Sequence, residues 1–197
     1  MTEKNTQPQA SGSLSLPSPD KGRAKGLGPI DPRVVLSAID ECATVDDLLQ
    51  VLLELAGSIY PSLNWLYGEI PDADDPVEVE ILAYSPTRLK TVYQGMRIPI
   101  LVSPFSRRLY EEHHLSYVGE DNGTLSHLNP QFVETFALTS FMGIPLLFEG
   151  RIIGILYAAT FKGEKASVPS EAQQAALLNL ARAGVLALHR IRTRSTR

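Results

Sequence analysis

The chain has 197 residues, enough for one domain with a full core and too few for two comfortable ones at roughly 100 to 200 residues per domain. Its composition, 44% hydrophobic and 20% charged with a net charge of −4, is that of an ordinary globular protein and gives no reason to expect nucleic acid as a partner. Cys42 is the only cysteine, which excludes an internal disulfide framework and a cysteine-rich zinc site and fits a reducing, cytoplasmic setting. No run reaches the ~18 apolar residues of a spanning helix, so no membrane partner is expected.

Residues 1–29 are rich in Ser, Pro, Gly and Lys and hold almost no large apolar side chains. Such a segment buries too little surface to offset the entropy of ordering, so a disordered N-terminal tail is expected ahead of one domain over 30–192, with 193–197 as a basic C-terminal tail.

Order begins with a helical hairpin, or one helix bent near Cys42 to Thr44. Asp31 with Pro32 reads as a helix start, and Thr44 with Asp47 has capping-box spacing ahead of the leucine-rich run Leu48 to Ala56. "LNWLYGEI" and "VEVEILAYS" read as strands joined by the acidic stretch "PDADDPVE", whose spacing does not match a calcium loop. The middle, 86–128, is the least regular part and therefore the natural place for function. Within it "YQGMRIPI" reads as strand and turn, "SPFSRRLYEEHH" as a short helix capped by Ser103 with Pro104 at its first position, and "LSYVGED" as a short extended piece. Asn129 and Pro130 then start another helix.

"SFMGIPLLFEGRIIGILYAATF", Ser140 to Phe161, predicts a hairpin turning at Glu149 and Gly150. Both arms are almost continuously apolar, whereas a half-wet antiparallel sheet alternates, so both faces of this one must be covered. The last segment opens with Ser170 and Gln173 at capping-box spacing and continues as a helix of about five turns. Helix, two strands, irregular middle, two strands, helix make an α+β fold. The terminal helices cover one face of a central antiparallel sheet, and the loop-rich middle with its short helices covers the other.

These segments resemble the GAF domain family, small-molecule-sensing modules related in shape to PAS domains. The resemblance rests on the hairpin Ser140 to Phe161 followed by "ALLNLARAGVLALHRI", and on "QGMRIPI" with "SRRLYEEHHLSYVGED". It implies a GAF/PAS-like sheet of five or six strands, a helical layer that often makes a dimer, and a pocket beneath the middle segment. It does not supply chemistry. Cys42 lies in the first helical region, on the wrong side of the sheet for the bilin-attaching cysteine of some members. The middle segment has none of the cysteines used by methionine sulfoxide reductases of the family, and the Asn-Lys-Phe-Asp-Glu signature of cyclic-nucleotide binders has no match.

Within the middle segment, Tyr93, Phe105, Tyr110 and Tyr117, with Phe141 and Tyr157 on the hairpin, are candidate aromatic walls of a ligand pocket. Arg97 could grip an anion, and His113 could face the pocket while His114 meets water. Adjacent histidines diverge on a helix, which argues against a metal site, and Ser126, His127 and Asp121 lack the strained turn of a nucleophilic serine, so no catalytic residue is expected. Arg107 and Arg108 have Glu111 and Glu112 one turn away as surface partners. No cofactor is indicated.

Two functions follow. One is a stand-alone sensor that binds an unidentified small organic ligand, forms a homodimer through its terminal helices and acts on a separate signalling protein. The other is a ligand-free dimerisation or scaffold module whose pocket is filled by its own side chains, with Phe105, Tyr110, Phe132 and Phe136 as fillers. A cavity of ~300 Å³ or more separates them.

Overall fold

Thr44 divides the first helical region in two. Its hydroxyl accepts from the Asp47 amide at 3.1 Å and donates to the Asp47 carboxylate at 2.7 Å, satisfying one of the amides that a helix start leaves unpaired. The chain therefore forms α1 (Pro32–Asp40) and α2 (Val45–Ile59) as separate helices. The computed structural model describes residues 32–62, 64–72, 77–85, 95–164 and 167–195. The expected N-terminal tail, Asp31, residues 73–76 of the acidic stretch and Tyr93 lie outside them.

Six strands follow: β1 (Asn64–Glu69), β2 (Glu78–Ser85), β3 (Arg97–Pro99), β4 (Ser116–Gly119), β5 (Leu138–Phe148) and β6 (Arg151–Phe161). They form one antiparallel sheet in the order β3-β2-β1-β6-β5-β4. Between β3 and β4, helix α3 (Pro104–Ser106) runs directly into a π-helical turn, Arg107–Glu111. Between β4 and β5 lies α4 (Pro130–Phe136), and after β6 comes α5 (Glu171–Ser195). At 25 residues α5 makes about seven turns rather than five, and it continues past the boundary expected at residue 192.

The hairpin turns at Glu149 and Gly150, both at positive φ (51° and 79°), as a two-residue turn between twisted strands requires. Its missing alternation has a simple cause: two apolar clusters sandwich the sheet. On β6, Leu156 and Ala158 enter the cluster built with α1, α2 and α5, while Ile155, Tyr157 and Ala159 enter the cluster beneath the middle segment. Each residue thus keeps the strand's period of two, and both sides are apolar.

Arg190 and Arg192, near the end of α5, do more than complement the helix dipole. Arg190 reaches Asp40 at the end of α1, 2.5 Å away, and Arg192 reaches Glu69 at the end of β1, at 2.6 Å.

Candidate functional site

The site is positioned by caps and one close approach. Ser103 Oγ accepts from the Ser106 amide at 3.1 Å, and the Ser106 hydroxyl donates to the Leu101 carbonyl at 2.6 Å. With Pro104 preset for a first helical turn, these bonds swing the chain from edge strand β3 back over the sheet and bury Phe105. The π-helical turn then lies on β5 at Gly143, where a Cβ would stand 2.7 Å from Leu109 Cδ2. Gly143 is the cross-strand partner of Tyr157. Seating Leu109 there brings the next residue, Tyr110, to Tyr157, and their hydroxyls hydrogen-bond at 2.7 Å.

Phe141 sits at the centre of an aromatic group. Tyr157 stacks on it at 5.1 Å and 20°, Phe105 tilts against it at 5.3 Å, and Phe132 of α4 meets it edge-on at 5.6 Å. Phe136 backs Phe132 at 5.0 Å. Asn129 Oδ1 holds α4 in place by accepting from the amides of Gln131 and Phe132.

These rings form the floor and one wall of a cleft whose other wall is the segment Ile98 to Leu101. Its volume is about 60 Å³, room for a few waters at roughly 10–15 Å³ each and far below the ~300 Å³ of a ready ligand pocket. Its own aromatic rings occupy most of the space. Among the described residues no Asp, Glu, Lys, Arg or His lines it, and its polar side chains are Ser103, Ser106, Asn129 and the Tyr110 and Tyr157 phenols. Burial pushes the Tyr110 phenol up to about 12 and the Tyr157 phenol well above the ordinary tyrosine range, so both stay protonated at neutral pH.

Of the residues singled out from the sequence, Phe105, Tyr110, Phe141 and Tyr157 come together around this cleft. Arg97 does not join them. On β3 it points away from the cleft, 59% exposed, and pairs with Glu78 at 2.8 Å and Glu80 at 3.1 Å, while its neighbour Ile98 faces inward. Tyr117 lies on the other side of the sheet: it stands opposite Met142 on β5, packs against the helical-layer cluster, and donates to Asp121 at 2.8 Å. His113 lies two residues past the π-helical turn at φ 58°, half-buried and outside the cleft lining. Ile98, Leu128 and Asn129 line the cleft without having been singled out; alternation along "MRIPI" is the sequence signal that would have found Ile98.

Other candidate chemistry is placed elsewhere. Cys42 packs against the helical-layer cluster and donates to the Ala38 carbonyl at 3.2 Å, and burial raises its thiol pKa. Arg107 stands 3.6 Å from Glu111, as helical spacing anticipated, and 3.9 Å from Glu112, five residues on, which the wider π-helical turn brings within reach. Among the described residues no group of three or more His, Cys, Asp or Glu is arranged to hold a metal, and no described helix is long and apolar enough to cross a membrane.

No family model matches the sequence, and no curated protein does. Solved structures do match. The GAF domain of a phosphoenolpyruvate-protein phosphotransferase from Coxiella burnetii superposes with a TM-score of 0.64 at 14% identity, covering 84% of this chain and 94% of that one. A GAF domain/HD domain protein from Geobacter sulfurreducens gives 0.60 at 16% identity over 80% of this chain and 98% of that one. The chromophore-binding domain of a bacteriophytochrome from R. palustris gives 0.65 at 11% identity, over 83% of this chain and 60% of its own.

Proposed function

We infer that this chain, a GAF-like domain, is a signalling sensor that binds a small organic molecule in the aromatic cleft between its sheet and its middle segment. One observation carries this reading: the Tyr110 and Tyr157 hydroxyls converge in a mostly apolar, aromatic cleft, a combination that suits a ligand site. The ligand favours an opened arrangement of α4 and the Ile98–Leu101 wall, and the domain responds by a shift of populations. The sequence offers no catalytic constellation, so the output passes to a separate signalling protein in the cytoplasm. The helical layer is the surface for a second copy of the chain, since Val34 and Leu36 of α1 and Leu186 of α5 expose large apolar side chains there.

A second reading is favoured by the volume. Only about 60 Å³ is left open between the cleft's own side chains, which suits a ligand-free dimerisation or scaffold module. Native mass spectrometry of the protein purified gently from its own host decides between them. The sensor reading expects a dimer carrying a stoichiometric small molecule that denaturation releases; a dimer with nothing bound replaces it with the scaffold reading.

A further inference from the structure

The Tyr110–Tyr157 pair has a proton to spare. Two hydroxyls 2.7 Å apart make one hydrogen bond between them, so one donates, the other accepts, and the accepting hydroxyl keeps an O–H of its own. Among the described residues neither phenol has a further hydrogen-bond partner. Either oxygen can serve as the donor of the pair, so the spare proton can be presented from Tyr110 or from Tyr157 without moving a heavy atom.

The rest of the lining decides what uses that proton. Among the described residues an anion would meet no cationic side chain in the cleft, Arg97 being turned outward onto Glu78 and Glu80. A cation would meet no carboxylate among the described lining residues, only neutral groups: the two phenols, Ser103, Ser106 and Asn129. Either charge would lose its hydration without compensation. A hydrocarbon would leave the spare O–H unpaired, whereas an uncharged molecule with a carbonyl, ether or aromatic nitrogen would satisfy it. Shape adds a constraint. Phe132 is the half-buried ring on the outer wall, packed edge-on to Phe141, and a planar guest of similar size fits the place this ring vacates by swinging out with α4.

We propose that the cleft takes an uncharged, planar, single-ring molecule that offers a hydrogen-bond acceptor to the Tyr110–Tyr157 pair. This rests on the reading of the cleft as a ligand site. The test titrates the full chain, followed by NMR of cleft side chains, with four probes of similar size: acetophenone, ethylbenzene, benzoate and benzylammonium. Acetophenone is expected to bind about tenfold tighter than ethylbenzene, the worth of one neutral hydrogen bond, with both ions weaker than either. Y110F and Y157F each keep that preference, because the surviving hydroxyl still has its proton. The double variant Y110F/Y157F loses it, binding acetophenone and ethylbenzene alike, and retained ethylbenzene affinity shows that the cleft is intact.

Tighter binding of benzoate or benzylammonium, parity of acetophenone and ethylbenzene in the unmodified chain, or a preference that survives in the double variant overturns the proposal and leaves the ligand site standing. If none of the four probes moves a cleft resonance, the ligand-site reading falls and the proposal with it. The comparison of probes on the unmodified chain stands even if the double variant fails to fold.

Discussion

Gly184 of α5 lies so close to Leu52 of α2 that a Cβ at position 184 would stand 2.8 Å from Leu52 Cδ1 and 2.9 Å from Cδ2. Leu52 is fully buried, so its side chain has little room to retreat. Alanine at 184 gains about 1 kcal/mol of helix propensity, but overpacking costs about 1–3 kcal/mol, so G184A is expected to be net destabilising by up to about 2 kcal/mol. L52A costs about 2–5 kcal/mol by itself and removes the clash, so adding G184A to it becomes stabilising by about 1 kcal/mol. Urea midpoints of the four proteins in this double-mutant cycle measure both signs. The same sign in both backgrounds would mean that the two helices are not held apart by this contact.

Phe132 is the ring whose removal opens the cleft. Its packing on Phe141 and Phe136 is real but half-exposed, so F132A is expected to cost about 1–3 kcal/mol, less than a fully buried Phe→Ala change. The space left is lined by Phe141, Phe105 and Tyr157 and suits a small aromatic guest. Benzene titration followed on the Phe141 and Tyr157 side chains should show tighter binding to F132A than to the unmodified chain. Equal binding would show that another group closes the cleft.

The starts of the helices were legible because caps act over two or three residues. Thr44 with Asp47, Ser103 with Ser106, Asn129 with Gln131, and Ser170 with Gln173 all form the bonds their spacing announces. The covered hairpin was legible for a similar reason, since only a sheet sandwiched between two apolar layers tolerates two unbroken apolar strands. The side of the sheet on which a residue sits was harder to read. Tyr117 belongs to the helical layer because β4 pairs with β5 in a register that sets Tyr117 opposite Met142, and nothing near Tyr117 in sequence states that register. Arg97 suggested an anion site through its charge alone, yet β3 alternation allows only one of Arg97 and Ile98 to face the cleft. The Tyr110–Tyr157 contact depends on the π-helical turn seating Leu109 at Gly143, a long-range fit that no local pattern carries.

Alkaline pH should unfold the domain through its tyrosines. Tyr110 is pushed up to about 12 from an ordinary 10.0, and Tyr157 lies well above its ordinary value, in both cases first through burial. An acid whose folded pKa is raised contributes stability that is fully present below its unfolded pKa and is lost as pH climbs toward the folded one. Stability should therefore hold up to about pH 10 and fall steeply between there and about pH 12. The Y110F/Y157F variant removes two of the raised phenols and should make that decline shallower, while Tyr67 and Tyr117, also raised first by burial, keep part of it. Tyrosinate absorbance and far-ultraviolet circular dichroism, recorded together, should change in one step. Ionisation of these phenols near pH 10 with the secondary structure intact would show that they are not buried as described.

The end of β1 touches both the cleft and the last helix, which gives the cleft a physical route to α5. On the cleft side, a Cβ at Gly68 would stand 3.1 Å from the Tyr157 ring. The next residue, Glu69, holds Arg192 at 2.6 Å. Glu69 is 26% exposed against 68% for Asp40 in the parallel Arg190–Asp40 pair, so the Glu69 bond is the less screened of the two. E69Q should therefore weaken the final turns of α5 by about 0.5–1 kcal/mol, read as roughly two- to fivefold faster amide hydrogen exchange there. D40N should have a smaller effect that added salt abolishes first. A guest held by the Tyr110–Tyr157 hydroxyls bears on the Tyr157 ring and so on the same strand end, so exchange in these turns should also respond to acetophenone in the unmodified chain and respond less in E69Q. If E69Q leaves exchange in the last turns unchanged, the Glu69–Arg192 pair does not hold α5 to the sheet, and the cleft must reach the helical layer by another path.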